Sequence, residues 1–147
     1  MRSGFLRTLL RAAPGSTAVE FALVLAPLLG LTFGIIEYAR FFWTQEALEQ
    51  TAIATARCMG IPQSNCATSG AYSTSKTQTF ITNTSNTWGI SVPTGNMTLN
   101  NSASCAGTSG FSQVTLTSTF VTAVPGILPL PSGGNTLTAT ACFPNNS

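Results

Sequence analysis

At 147 residues the chain has room for one small domain, and any membrane segment must be subtracted before its core is counted. Charge is sparse: six Lys or Arg against four Glu, scattered along the chain, which excludes the basic patch that a nucleic-acid partner requires. There is no His, no Asp and no carboxylate beyond Glu49, so acid–base and metal-dependent catalysis lack their residues; neither an enzyme, nor a metal site, nor a cofactor is expected.

Met1 to Gly15 carries Arg2, Arg7 and Arg11 without an acid and closes on Pro14 and Gly15, two residues that interrupt helices. It reads as a processing segment. From Ala18 to Ile36 the chain is AVEFALVLAPLLGLTFGII, where Glu20 is the one charge and Thr32 the one other polar side chain. That run is close to the ~20 residues that cross a bilayer core as a helix. A secretory signal peptide has the same order of basic and apolar regions, but its apolar core is shorter and ends at a small-residue cleavage site. Here EYARFFWTQEALEQ follows instead.

The helical composition continues to Arg57 with no Gly or Pro after Gly34. Tyr38, Phe41, Phe42 and Trp43 fall where the apolar run ends, the place of an interfacial aromatic belt; packing of the helix on a folded domain would use the same residues.

Beyond Arg57 the composition changes. From Cys58 to Ser147 the one charged residue is Lys76, and Ser, Thr and Asn dominate, a mixture that hydrates without charge and suits strands and turns. Gly60 and Pro62 end the helix. Thr74 to Trp88 reads as a short helix, since Phe80, Ile81 and Trp88 lie near helical spacing. Strands are expected at Ile90 to Leu99, at Ser112 to Thr122, where Val114, Leu116, Ser118 and Phe120 share a face, and at Thr136 to Phe143, where Leu137, Ala139, Ala141 and Phe143 alternate with Thr. The connection AVPGILPLPSGG, with three prolines, excludes regular strand. The fold class is therefore α+β: a long N-terminal transmembrane and stalk helix, then a small C-terminal antiparallel β domain packed on helix.

Cys58, Cys66, Cys105 and Cys142 all follow the apolar run, and an even count there reads as two disulfides in an oxidising compartment. A zinc site would want CxxC pairs or His, and neither occurs. Four cysteines allow three pairings. Cys58 and Cys66 flank a short Gly-Pro loop, while Cys105 precedes the first late strand and Cys142 ends the second, so the expected bridges are Cys58–Cys66 and Cys105–Cys142.

Gly15-Ser16-Thr17-Ala18-Val19-Glu20-Phe21, opening a long apolar helix, resembles the prepilin peptidase site of type IV pilin-like proteins, in which cleavage follows Gly and a Glu stands fifth in the mature chain. With GIIEYAR and the late F-x-x-x-x-P-x-x-L-P-L followed by LTATA, the sequence resembles the TadE-like minor pilins, or pseudopilins, of tight-adherence pilus systems. That resemblance implies a prepilin leader at 1–15, a transmembrane helix continuing as a stalk at 16–57 and an extracytoplasmic α+β domain at 58–147. It further implies cutting between Gly15 and Ser16 by a prepilin peptidase, with Glu20 and Phe21 serving assembly.

Glu20 most needs a reason, because a carboxylate within a membrane helix costs roughly 2.5 to 3.5 kcal/mol on insertion scales. The resemblance supplies one: the new α-amine of Ser16 on a neighbouring subunit. Snorkelling to nearby headgroups is the alternative. The implied partners are the peptidase, other pilins or pseudopilins through the N-terminal helix, and the lipid bilayer. The implied location is a bacterial inner membrane, crossed once with the N-terminus cytoplasmic and the C-terminal domain periplasmic, with or without later entry into an extracellular pilus. A minor pseudopilin of a type II secretion-like machine, or a membrane-anchored periplasmic binding module, would share much of this sequence.

Overall fold

The computed structural model describes residues 14–123 and 135–146. The segment read as a leader, up to Ala13, and most of the proline-rich connection AVPGILPLPSGG lie outside those residues. Two compact units divide the chain, Met1–Tyr38 and Ala39–Ser147, and one helix, α1 (Pro14–Gly60), contributes to both.

In the first unit α1 begins at Pro14, where a proline is at home because the first helical N–H has no acceptor in any case. It continues through Pro27, which has no N–H to give the carbonyl of Leu23, and Thr32 donates its hydroxyl to the Leu28 carbonyl at 2.8 Å. The apolar side chains here face outward on every side: Val19, Phe21, Leu23, Val24, Leu31 and Phe33 are all more than half exposed. A helix that is apolar all round belongs in a core or in lipid, and among the described residues nothing buries the apolar stretch.

The second unit is built differently. From Ala39 onward α1 buries one stripe, with Leu48, Thr51, Ala52, Thr55, Ala56 and Met59 at spacings of three and four. The two buried threonines keep their hydroxyls satisfied along the helix, Thr51 donating to the Ala47 carbonyl and Thr55 to that of Thr51, each at 2.7 Å. Small residues on this stripe allow close approach of the elements packed on it.

A small hairpin of β1 (Ala67–Thr68) and β2 (Ala71–Tyr72) follows, and then α2 (Thr74–Thr87), which buries Thr77, Ile81 and Ser85. α2 ends in a Schellman motif: Gly89 donates to Asn86 and Ile90 to Ser85, with Gly89 at φ +75° in the left-handed region that favours glycine. This geometry buries Ile90 and leaves Trp88 on the surface.

The sheet is a meander of β3 (Met97–Cys105), β4 (Thr108–Thr119) and β5 (Thr136–Pro144), antiparallel in the order β3-β4-β5. The first of these starts seven residues later than the alternation suggested. Pro93 cannot donate to a ladder, and Thr94–Asn96 forms a 3-10 turn closed by Asn96 N–H on the Pro93 carbonyl at 2.9 Å. Ile90 and Val92 are nonetheless buried, as core contributions from non-strand chain.

On the central strand Ser112, Val114, Leu116 and Ser118 point into the core in strict alternation, with Leu137 and Ala139 of β5 beside them. The core is completed by Phe41, Leu48, Ile81 and Phe120, the two rings meeting edge to face at 5.5 Å.

The hairpin joining β3 and β4 turns on Ala106-Gly107, both with positive φ, the two-residue turn that matches strand twist. Cys105 pairs with Thr108 across it, whereas Cys142 pairs with Gln113, five residues further along β4. In a straight strand those positions would stand roughly 17 Å apart. The Cα atoms of Cys105 and Cys142 are 6.5 Å apart, so the hairpin tip folds back toward β5. The bend coincides with the register shifts between Asn100 and Ser104.

Candidate functional site

The residues that the sequence singled out fall into two groups, one in each unit. Gly15, Ser16, Glu20 and Phe21 all lie on the first turns of α1. Among the described residues, nothing beyond its chain neighbours and the helix's own backbone comes within 4 Å of where a Cβ on Gly15 would be. Glu20 is exposed, and Phe21 beside it is 65% exposed. Pro14 and Gly15 stand at the start of the helix, and glycine in a helix costs roughly 1 kcal/mol relative to alanine.

The cysteines belong to the second unit. Cys58 is joined to Cys66 and Cys105 to Cys142. The first bridge is fully buried and clamps the end of α1 to the loop behind it; Cys66 also accepts from the Ser73 N–H at 2.9 Å. Lys76 completes the clamp by donating to the carbonyls of Ser64 at 3.2 Å and Ala67 at 2.9 Å. The one cation of the C-terminal stretch thus holds backbone carbonyls of the disulfide loop.

The second bridge is on the surface, with Cys142 exposed. Close to it in sequence, buried Ser112 lies 2.6 Å from the side-chain oxygens of both Asn101 and Asn145, while the Asn145 amide donates to the Asn101 carbonyl at 2.7 Å. That cluster ties β3, β4 and the tail after β5 together.

The aromatic group at the end of the apolar run separates into two roles. Phe41 is a core residue, 4% exposed and packed on Phe120, while Phe42 and Trp43 are on the surface. Trp43 meets a partner that the sequence did not indicate: its indole N–H donates to the Trp88 carbonyl at 3.3 Å, and the two rings lie 6.0 Å apart. Trp88 is placed there by the Schellman turn of α2, a tertiary consequence that local spacing does not record.

Among the described residues no group of three or more His, Cys, Asp or Glu side chains gathers in a way that could hold a metal ion. A hollow of the second unit runs along α2 and is lined by Lys76, Thr79, Phe80, Asn83, Thr87 and Trp88. Its hydroxyls at Thr79 and Thr87 are already donated to helix carbonyls.

The chemistry in hand is therefore that of a helix fit for lipid or for other apolar helices, joined in sequence to a disulfide-bonded domain. The helix from Thr17 is long and apolar enough to cross a membrane. No curated protein and no solved structure matches the chain. The family described as TadE-like protein matches residues 15–57, the helical segment from Gly15 to Arg57. Over that segment the chain is similar to that family, and the match opens at the glycine of the Gly15 to Phe21 motif.

Proposed function

We propose that the chain is a minor pilin, or pseudopilin, that takes part in assembling a Tad-type adhesive pilus. The observation that carries this reading is the conjunction on α1: a TadE-like match beginning at Gly15, a Glu five residues later, and an apolar surface that nothing among the described residues covers. The TadE-like pilin family is structural, and the role assigned here is assembly.

In this reading a prepilin peptidase cuts between Gly15 and Ser16 at the cytoplasmic face. Arg2, Arg7 and Arg11 hold that end inside, in keeping with the excess of basic residues in cytoplasmic flanks. The domain from Cys58 is exported, where an oxidising compartment sustains both disulfides. The mature helix then leaves the bilayer laterally for a bundle of like helices. The carboxylate of Glu20 meets the α-amine of Ser16 on a neighbouring subunit, and a charge that is costly in lipid gains a charge-assisted hydrogen bond.

The test is piliation in the native host. Loss of the gene should abolish or sharply reduce surface pili, and Glu20→Ala should do the same while leaving the protein in the membrane. Normal piliation in both strains would refute the assignment.

A further inference from the structure

The sheet of the folded unit has two edges, and they are finished differently. Along β3 the ladder to β4 is broken by register shifts between Asn100 and Ser104, an irregularity of the kind that keeps an edge from pairing further. β5 pairs with β4 without interruption from Thr136 to Pro144 and is the last strand on its side.

Hydrogen bonds at the two ends of β5 fix which way its backbone faces. The Asn145 N–H donates to the Gly110 carbonyl at 2.8 Å and the Phe120 N–H to that of Asn135 at 2.6 Å, both continuing the β4–β5 register. Bonded and non-bonded pairs alternate in an antiparallel ladder, so Leu137, Ala139, Ala141 and Phe143 bond inward to β4. Thr136, Thr138, Thr140 and Cys142 therefore aim their N–H and C=O groups outward. All four residues are exposed, and among the described residues no strand or loop hydrogen-bonds to their backbone on that side. The open stretch ends at Cys142, because beyond it the Asn146 N–H is taken by the Gly60 carbonyl.

A row of unpaired backbone groups is a template for another strand, and natural edges are blunted by Lys, Pro or a bulge. Thr136 to Cys142, TLTATAC, has none of these. We infer that β5 is an assembly edge through which two copies of the chain join their sheets, Thr136–Cys142 of each running antiparallel about a two-fold axis at Ala139. Everything this requires lies within the unit from Ala39, so it stands apart from the pilus reading.

The layout of the strand itself chooses a second copy. In that register Thr136 faces Cys142 of the other copy and Thr138 faces Thr140, so every outward N–H meets an outward carbonyl and none is left over. The outer face continues the pairing already present within the sheet, where the Thr115 and Thr140 hydroxyls are 3.0 Å apart. On the core face Leu137 falls opposite Ala141, and Ala139 opposite its own counterpart. Charge does not oppose the approach, since Lys76 is the one charged residue from Cys58 to Ser147. The connection that precedes β5 in the same chain is a poor substitute, because Pro125, Pro129 and Pro131 withhold N–H groups that a ladder needs.

The test uses full-length protein in mild detergent, followed by light scattering and amide hydrogen exchange. T138K/T140K sets lysines opposite lysines across the two-fold and T138E/T140E sets glutamates opposite glutamates, while on a single copy these side chains remain in solvent. The wild type should be a dimer, and either double variant should lose at least about tenfold in dimer affinity, since like charges directly opposite are destabilising. Mixing the two variants should restore the dimer. Thr98→Lys, on β3, should leave it unchanged. Exchange at the Thr136 and Cys142 N–H groups should be slower in the wild type than in T138K/T140K by at least about tenfold. Intact bridges at Cys58–Cys66 and Cys105–Cys142 with unchanged tryptophan emission show that each variant is folded.

Wild-type protein that stays single overturns the inference, whether those N–H groups exchange freely or are covered by the chain's own connection. A dimer that survives both double variants is held elsewhere, through the apolar stretch of α1 or another surface, and overturns it equally.

Discussion

Gly60, the last residue of α1, lies so close to Phe143 of β5 that a Cβ on it would stand 2.7 Å from the Phe143 Cδ1, and 2.8 Å from the Pro144 carbonyl oxygen. The end of the helix and the end of the last strand thus meet backbone to backbone, and Asn146 donates its N–H to the Gly60 carbonyl at 2.8 Å. A ring can yield by rotation, but the carbonyl cannot move without shifting the strand. Gly60→Ala should therefore destabilise the folded domain by about 1 to 3 kcal/mol, the usual cost of overpacking. Denaturant midpoints in detergent, followed by tryptophan fluorescence, check it; an unchanged midpoint would mean that the two ends do not pack in this way.

Leu48 and Thr51 occupy the same buried stripe of α1, both fully buried, yet they should respond very differently to substitution. Leu48→Ala removes core volume and should cost about 2 to 5 kcal/mol. Thr51→Val removes a hydroxyl whose acceptor, the Ala47 carbonyl, keeps its helical N–H donor, so nothing buried is left unpaired and the change should stay within about 1 kcal/mol. The pair of midpoints, measured side by side, reads the burial and the back-bonding separately.

Much of this arrangement is legible in the sequence, and what is not has identifiable causes. The apolar run, the second helix and the last two strands follow from composition and alternation, because each of those signals is local. The strand expected from Ile90 fails at Pro93, where alternation of Ile90 and Val92 records burial without a ladder. Clustering of Phe41, Phe42 and Trp43 locates the end of the apolar run but not which ring turns inward; Phe41 does, because Phe120 waits on that side. Cys105, expected ahead of a strand, ends β3, and it reaches Cys142 because the hairpin tip folds back, a bend that no periodicity encodes. Trp88 joins Trp43 across 45 residues, and nothing within either segment announces it.

The two disulfides should separate under mild reduction. Cys58 and Cys66 are each 1% exposed, whereas Cys142 is at the surface, and thiol–disulfide exchange needs in-line access of a thiolate to sulfur. Limited reduction of folded protein followed by alkylation and peptide mapping should label Cys105 and Cys142 first. In the chain-entropy view the bridge with a sequence separation of 37 also constrains the unfolded chain more than the one with a separation of 8. Cys142→Ser should accordingly raise protease sensitivity more than Cys66→Ser does, with membrane insertion intact in both. Equal labelling of all four cysteines would contradict the burial difference.

Orientation has its own test. A periplasm-dependent reporter fused after Ser147 should be active, and a cytoplasm-dependent one silent, if Arg2, Arg7 and Arg11 keep the N-terminus inside. Replacing all three by Glu should weaken that bias and reduce the periplasmic signal. The opposite pattern in the unmodified protein would reverse the topology.

The most direct measurement on the central claim is the N-terminus of the protein recovered from membranes of cells that contain a prepilin peptidase. Intact-mass spectrometry with N-terminal sequencing should find a chain that begins at Ser16, and Gly15→Val should leave the 15-residue leader attached. A mature chain that retains Met1 to Gly15 on assembled or surface-exposed protein, or one cut elsewhere, would contradict the account of α1 as a processed pilin helix.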